Sequence, residues 1–127
     1  MPRITASAPV LLVRDVVASA NYYRDCIGFA YERFYNDPPN FCILHRDGHY
    51  LMLAQATDPA DIKPYWKLVD NLSNAYFWVD DADRLYAEMK SAGAKMDFGP
   101  CDQPYGVREF GIQDLDEHDI VFGQILR

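Results

Sequence analysis

The sequence predicts an α+β fold made of two tandem βαβββ modules, about residues 5–56 and 72–127 of a single domain of 127 residues. Three observations predict it. Short runs rich in β-branched and aromatic residues alternate with two stretches of helical period. Each helical stretch opens on aspartate and closes on glycine, at Asp15 and Gly28 and again at Asp80-Asp81 and Gly93. The whole pattern then recurs at a spacing of about 65 residues, the self-similarity that marks a repeated unit.

Taken in order, Ala8 to Arg14 is an apolar strand that runs into Asp15, a helix cap. Val16, Ala20, Tyr23 and Ile27 follow at helical spacing and make one apolar face, which Gly28 ends in the left-handed conformation. Phe29 to Tyr35 reads as a strand, and Asn36-Asp37-Pro38-Pro39 as a turn. Phe41 to His45 and Tyr50 to Ala54 are two strands joined through Arg46-Asp47-Gly48-His49, with the Asp-Gly signature of a tight hairpin. Asp58-Pro59 marks a helix start, and Ala60 to Val69 reads as either a short helix or an ordered loop, because Pro64 interrupts it.

The second module repeats this order. Ala75 to Val79 is its first strand, Leu85, Met89 and Ala92 are the apolar face of its helix, and Ala94 to Phe98 is the next strand. Gly99 to Pro104 reads as a loop. Val107 to Gln113 and Asp119 to Gln124 form the closing hairpin about the turn Asp114-Leu115-Asp116-Glu117-His118.

A formal net charge of -7 argues against nucleic acid and anionic membranes as partners, since phosphate recognition needs clustered Lys and Arg. The same charge is compatible with a cationic ligand. Cys26, Cys42 and Cys101 are odd in number and lack a Cys-x-x-Cys pair, so they read as buried small hydrophobes in a reducing compartment. The N-terminal stretch lacks a signal-peptide pattern and no run is long enough to span a membrane, which leads to an expectation of a cytoplasmic protein. His45, His49 and His118 read as solvated turn histidines, and Asp114 and Asp116 as turn-stabilising side chains. Neither a Ser/His/Asp or Cys/His arrangement nor a glycine-rich phosphate loop is recognisable.

The segments APVLLVRDV, NYYRDCIGF, YFWVDDAD and above all YGVREFGIQDLDEHDIVFGQ resemble the vicinal oxygen chelate superfamily, which contains glyoxalase I, extradiol dioxygenases, fosfomycin resistance enzymes and bleomycin resistance proteins. The likeness covers nearly the whole chain. Many members carry Asp-Pro-Asp-Gly-Asn in the last turn, where this chain has Asp114-Leu115-Asp116-Glu117-His118. The resemblance implies a cupped mixed sheet with helices outside, and a homodimer in which the partner chain completes each cup. In most enzymes of the superfamily four side chains, commonly His, Glu, His and Glu, hold a divalent metal whose open positions take a chelating substrate. The matching positions here are Ala8, Met52, Asn74 and Val121. These are poor donors, so the expectation is a protein with no metal or other cofactor.

If those four positions face the cup as in the family, strand alternation sends Val10, Leu12, Tyr50, Ala54, Tyr76 and Trp78 the same way. Leu11, Val13, Leu51, Leu53, Ala75, Phe77 and Val79 then face the helices. The expected ligand contacts are Asn74, Tyr76, Trp78, Tyr50 and Met52 on strands, Trp66 and Tyr105 on loops, and Arg108 and Glu109 in the last hairpin. For Tyr76 and Trp78 core packing competes with this role, and for Arg108 and Glu109 cross-strand pairing is the usual fate, with one of them left to orient a polar ligand as the alternative. Among the members, the chain looks most like bleomycin resistance proteins, which sequester the drug without altering it. A small-molecule binding protein for an aromatic or cationic compound is the function expected. The alternative is a glyoxalase- or dioxygenase-like enzyme acting on a small oxygenated substrate with a divalent metal.

Overall fold

The computed structural model describes residues 1–127 and divides them into two compact units, Met1–Ile62 and Lys63–Arg127. Each is a four-stranded mixed sheet with one α-helix, and the two share one topology. The α+β class and the tandem βαβββ modules expected from the sequence are present. No helix is long and apolar enough to cross a membrane.

In the first unit β1 (Val10–Val13) lies parallel to β4 (His49–Gln55), which pairs antiparallel with β3 (Phe41–Arg46), and β3 pairs with the two-residue β2 (Phe34–Tyr35). Asp15 caps α1 (Val16–Tyr22) by accepting the N–H groups of Val17 and Ala18, each at 3.1 Å. A π-helical turn over Tyr23–Ile27 continues α1 and stops at Gly28, whose φ of 82° is the left-handed conformation anticipated there. Val16, Ala20, Tyr23 and Ile27 are fully buried, as the helical spacing predicts. They meet Leu11, Val13, Cys42, Leu44, Leu51 and Leu53 in the core, each large aliphatic side chain contributing roughly 1.5–3 kcal/mol of burial. The Asp47-Gly48 turn takes positive φ at both residues, the geometry of a tight hairpin.

The strand expected over Phe29 to Tyr35 is reduced to β2 and one bridge between Ala30 and His45. Phe29 is drawn into the core and Tyr31 turns back to hydrogen-bond Asn21 at 2.6 Å, so side-chain anchoring to the helix overrides extended pairing.

In the second unit β5 (Ala75–Trp78) lies parallel to β8 (Asp119–Ile125), β8 pairs with β7 (Val107–Gln113), and β7 pairs with β6 (Lys95–Gln103). Asp81 caps α2 (Ala82–Ser91) through the N–H of Arg84 at 3.1 Å. Ala82 and Met89 are buried, and Tyr86 sets its ring edge-on to Phe110 at 5.5 Å. Ala92, expected on the buried face, is instead the exposed C-cap residue, because the helix ends one position before it. Phe77, Phe122 and Phe110 form a stacked row beneath the helix, with centroids 5.8 and 5.1 Å apart.

The loop expected at Gly99 to Pro104 is largely strand. β6 continues to Gln103, and register shifts between Met96 and Phe98 and between Phe98 and Cys101 absorb Gly99-Pro100 at the sheet edge. The segment before β5 holds two 3₁₀ turns, Pro59–Asp61 and Tyr65–Lys67, and so is an ordered loop.

One contact is made identically in both units. Gln55 Oε1, at the end of β4, accepts the N–H of Val16 at 3.0 Å, and Gln124 Oε1, near the end of β8, accepts that of Ala82 at 2.9 Å. Each glutamine thereby satisfies one of the free donors at a helix start. Aligned on this contact and on strand register, Val10 corresponds to Tyr76, Leu12 to Trp78, Ala54 to Gly123 and Phe41 to Glu109.

Candidate ligand-binding site

Strand alternation leaves one face of each sheet turned away from its helix. In the first unit this face carries Val10, Leu12, Phe41, Ile43, His45, Tyr50, Met52 and Ala54, as the sequence predicts for the five of these it names, Val10, Leu12, Tyr50, Met52 and Ala54. It is apolar apart from His45 and the Tyr50 hydroxyl. His45 pairs with Glu32 at 2.9 Å and leans on Tyr50 with ring centroids 6.3 Å apart.

The corresponding face of the second unit differs in chemistry. Tyr76 and Trp78, on β5, form an edge-to-face pair with centroids 4.9 Å apart, and Trp78 is 63% exposed. The Tyr76 ring crosses the neighbouring strand at Gly123, where a Cβ would collide with its hydroxyl. It can lie flat only because that position is glycine. The hydroxyl then reaches β7 and donates to Glu109 Oε2 at 2.6 Å. Tyr105, on the turn between β6 and β7, donates to Glu109 Oε1 at 2.7 Å. Gly106, with φ of 80°, turns the chain between Tyr105 and β7. A second close approach lies beside the first, with Phe98 packed over Gly111 so that a Cβ there would stand 2.6 Å from the ring.

Glu109 is thus a carboxylate only 5% exposed, each of its oxygens bound by a phenol. Its effect on the phenols is large. Burial and the hydrogen bond to Glu109 hold the Tyr76 hydroxyl well above the usual phenol range, and the bond to Glu109 pushes Tyr105 up to about 12. Both phenols are therefore fixed as donors at any physiological pH. Cys101, the register partner of Glu109, is exposed and sits against Gln103 Nε2 at 3.5 Å. This corrects the expectation that all three cysteines are buried: Cys42 is buried, Cys26 is half-buried, and edge-strand placement leaves Cys101 at the surface.

The remaining expected contacts go elsewhere. Arg108 faces the helix side, where it pairs with Asp83 and with its cross-strand partner Asp102, both at 2.9 Å. Asn74 is occupied in holding the preceding loop: its Oδ1 accepts the Tyr65 N–H at 3.1 Å and its amide donates to the Lys63 carbonyl at 3.4 Å. Trp66 donates its indole N–H to the Glu117 carbonyl at 2.8 Å, and Lys67 pairs with the Glu117 carboxylate at 3.1 Å. The Trp66 segment is therefore fastened to the β7–β8 turn. Tyr50 and Met52 lie on the sheet of the first unit. The structure brings together Tyr76, Trp78, Tyr105 and Glu109 of the nine residues.

The β7–β8 turn also corrects one reading and supports another. Asp114 Oδ1 accepts the N–H groups of Asp116 and His118, each at 2.9 Å, the turn-stabilising part expected of it. That curl draws His118 inside to 2% exposure, so it is not a solvated turn histidine. Glu117 takes the left-handed φ of 67° at the place where the family turn has glycine.

Sequence reasoning missed Asp119 and Asp97. Asp119, 7% exposed at the start of β8, contacts Asp97 and the side chain of Gln113, and its Oδ1 is buried without a hydrogen-bond partner. Burial and the neighbouring Asp97 raise its pKa to about 7. Asp97 is the residue at the first register shift of β6, which a sequence cannot locate.

The positions that hold a divalent metal in many relatives do not fit one here. In the first unit they supply a methyl group at Ala8 and a thioether at Met52; in the second, Val121 and an Asn74 amide already engaged by the loop. Nowhere do three His, Cys, Asp or Glu side chains gather in metal-binding geometry.

Solved structures with the same fold span the full chain. TioX from Micromonospora sp. ML1 is 19% identical, with 96% of this chain and 99% of that chain covered and a TM-score of 0.75. The bleomycin-binding protein from bleomycin-producing Streptomyces verticillus, solved with copper(II)-bleomycin, is 23% identical, covers 100% and 99%, and has a TM-score of 0.71. TnmS3, an antibiotic binding protein from Streptomyces sp. CB03234, is 19% identical, covers 98% of each chain and has a TM-score of 0.73. No individually curated protein matches significantly in sequence. A family model matches residues 5–122, nearly the whole of both βαβββ units, and with it the chain belongs to the Glyoxalase/Bleomycin resistance protein/Dioxygenase superfamily.

Proposed function

We propose that this protein binds a planar aromatic or cationic small molecule without a metal and without transforming it, and that the binding surface is the open face of the β5-β8-β7-β6 sheet. One observation carries the reading: an exposed Trp78 stands edge-to-face with a Tyr76 ring that lies over Gly123, beside a buried carboxylate held by two phenols. Exposed aromatic rings with a single polar anchor are the usual composition of a site for flat, partly apolar ligands. The donor-poor metal positions favour binding over metal-assisted chemistry. Structural likeness to proteins described as bleomycin-binding and antibiotic binding supports the same class. We further propose a sequestering, resistance-like role and, on resemblance to the superfamily, a homodimer in the cytoplasm.

The test is a fluorescence titration with bleomycin. Trp66 and Trp78 are the only tryptophans, and Trp66→Phe isolates the second. Saturable quenching of Trp78, with the drug recovered unchanged and unaffected by chelator, is the expected result. Quenching that needs added metal, or turnover of the drug, would sink the metal-free binding reading; no quenching removes bleomycin itself and moves the search to other flat aromatic compounds. Sedimentation velocity on the same sample should report twice the chain mass.

A further inference from the structure

We infer that Glu109 makes this site selective for organic cations that carry N–H donors, of the amidinium or ammonium class, over neutral molecules of the same shape. The inference rests on the binding surface proposed above and goes on to name the residue and the charge that decide its ligand.

Glu109 has no ion-pair partner. The adjacent Arg108 points to the opposite face and is consumed by Asp83 and Asp102, and Lys67 is paired with Glu117. A carboxylate 5% exposed and balanced by neutral donors alone is a costly arrangement, which a cation beside it would relieve. Its two phenols occupy only two of the roughly four lone-pair directions of a carboxylate. The remaining directions accept N–H groups, and the two-oxygen geometry suits a planar donor fork. Each phenol spends its one proton on Glu109, so neither has a donor left for the ligand while those bonds last, and the N–H groups must come from the ligand. The neighbouring rings of Tyr76 and Trp78 present π faces that favour a flat cation further. In the first unit the equivalent position is Phe41, so this anchor belongs to the second sheet alone.

Three probes of one outline separate charge from shape: 2-naphthamidine, 2-naphthamide and 2-naphthoate, titrated calorimetrically near neutral pH in high salt, which screens the overall negative charge of the chain. The amidine should bind at least about tenfold more tightly than the amide, with the carboxylate weakest. Glu109→Gln should remove that preference, so that amidine and amide bind alike. Tyr105→Phe, which keeps the charge while freeing one carboxylate oxygen, should retain or enlarge the preference. Equal binding of amidine and amide by the unaltered protein, or a preference that survives Glu109→Gln, overturns the inference while leaving the binding surface in place. Failure of all three probes, or binding insensitive to Trp78→Ala, overturns the surface and the inference with it. Should Glu109→Gln fail to fold, the ordering of the probes on the unaltered protein and on Tyr105→Phe still decides.

Discussion

Asp119 shows how far a single residue can depart from its ordinary chemistry. Its folded-state pKa lies near 7 because it is buried and faces Asp97, whereas in an unfolded chain it returns to the ordinary carboxylate range. The native state therefore keeps a proton that the unfolded state has already lost between about pH 4 and pH 7. The contribution is fully present below the unfolded value and disappears as pH rises through the folded one. Thermal stability should consequently fall across that window. Asp119→Asn, which cannot ionise, should flatten the slope and raise the melting temperature above pH 7; a variant whose pH profile matches the parent's would show that the pair does not titrate there. None of this was legible from the chain. Asp119 reads as the first residue of a strand, and its partner is delivered by an irregularity in β6 that leaves no mark in composition.

At the scale of elements, the strands of the second sheet are shaped by two glycines that a pattern of alternating residues passes over. Gly111 admits Phe98 and Gly123 admits Tyr76. Gly123→Ala should displace the Tyr76 ring, whose hydroxyl cannot retreat without giving up Glu109, and should weaken ligand binding about tenfold or more while leaving the hairpin register intact. Calorimetry and the amide exchange of β7 and β8 separate the two effects. Glycine inside a strand is itself a sequence signal of close approach, so this half of the site could have been found in advance. Helix caps, hairpin turns and the buried alternation of β1, β4 and β5 were legible because each depends on neighbours within a few residues. Phe29 to Tyr35 and Gly99 to Pro104 were misread for the opposite reason. There, contacts with distant residues, Tyr31 with the helix and the β6 edge with β7, decide the backbone. Glu109 was named from its motif, but its two phenol partners come from β5 and from a turn, and only folding joins them.

The molecule as a whole carries a net charge of -7, which acts at longer range than any contact in the site. An approaching cation is drawn in before it touches Trp78, so the association rate for 2-naphthamidine should fall steeply with ionic strength while that for 2-naphthamide stays flat. Stopped-flow fluorescence reads both, and a salt-independent rate for the amidine would show that the overall charge has no part in capture.

The glutamine that fastens each helix to its sheet has a consequence of another kind. Because Gln55 and Gln124 make the same bond, they index the two halves against each other residue by residue. At matched places one half carries Val10, Leu12, Phe41 and Ala54, and the other Tyr76, Trp78, Glu109 and Gly123. The chain thus contains its own blank: a duplicate of the same backbone, left greasy and uncharged. The side chains that set its sibling apart can be counted on one hand.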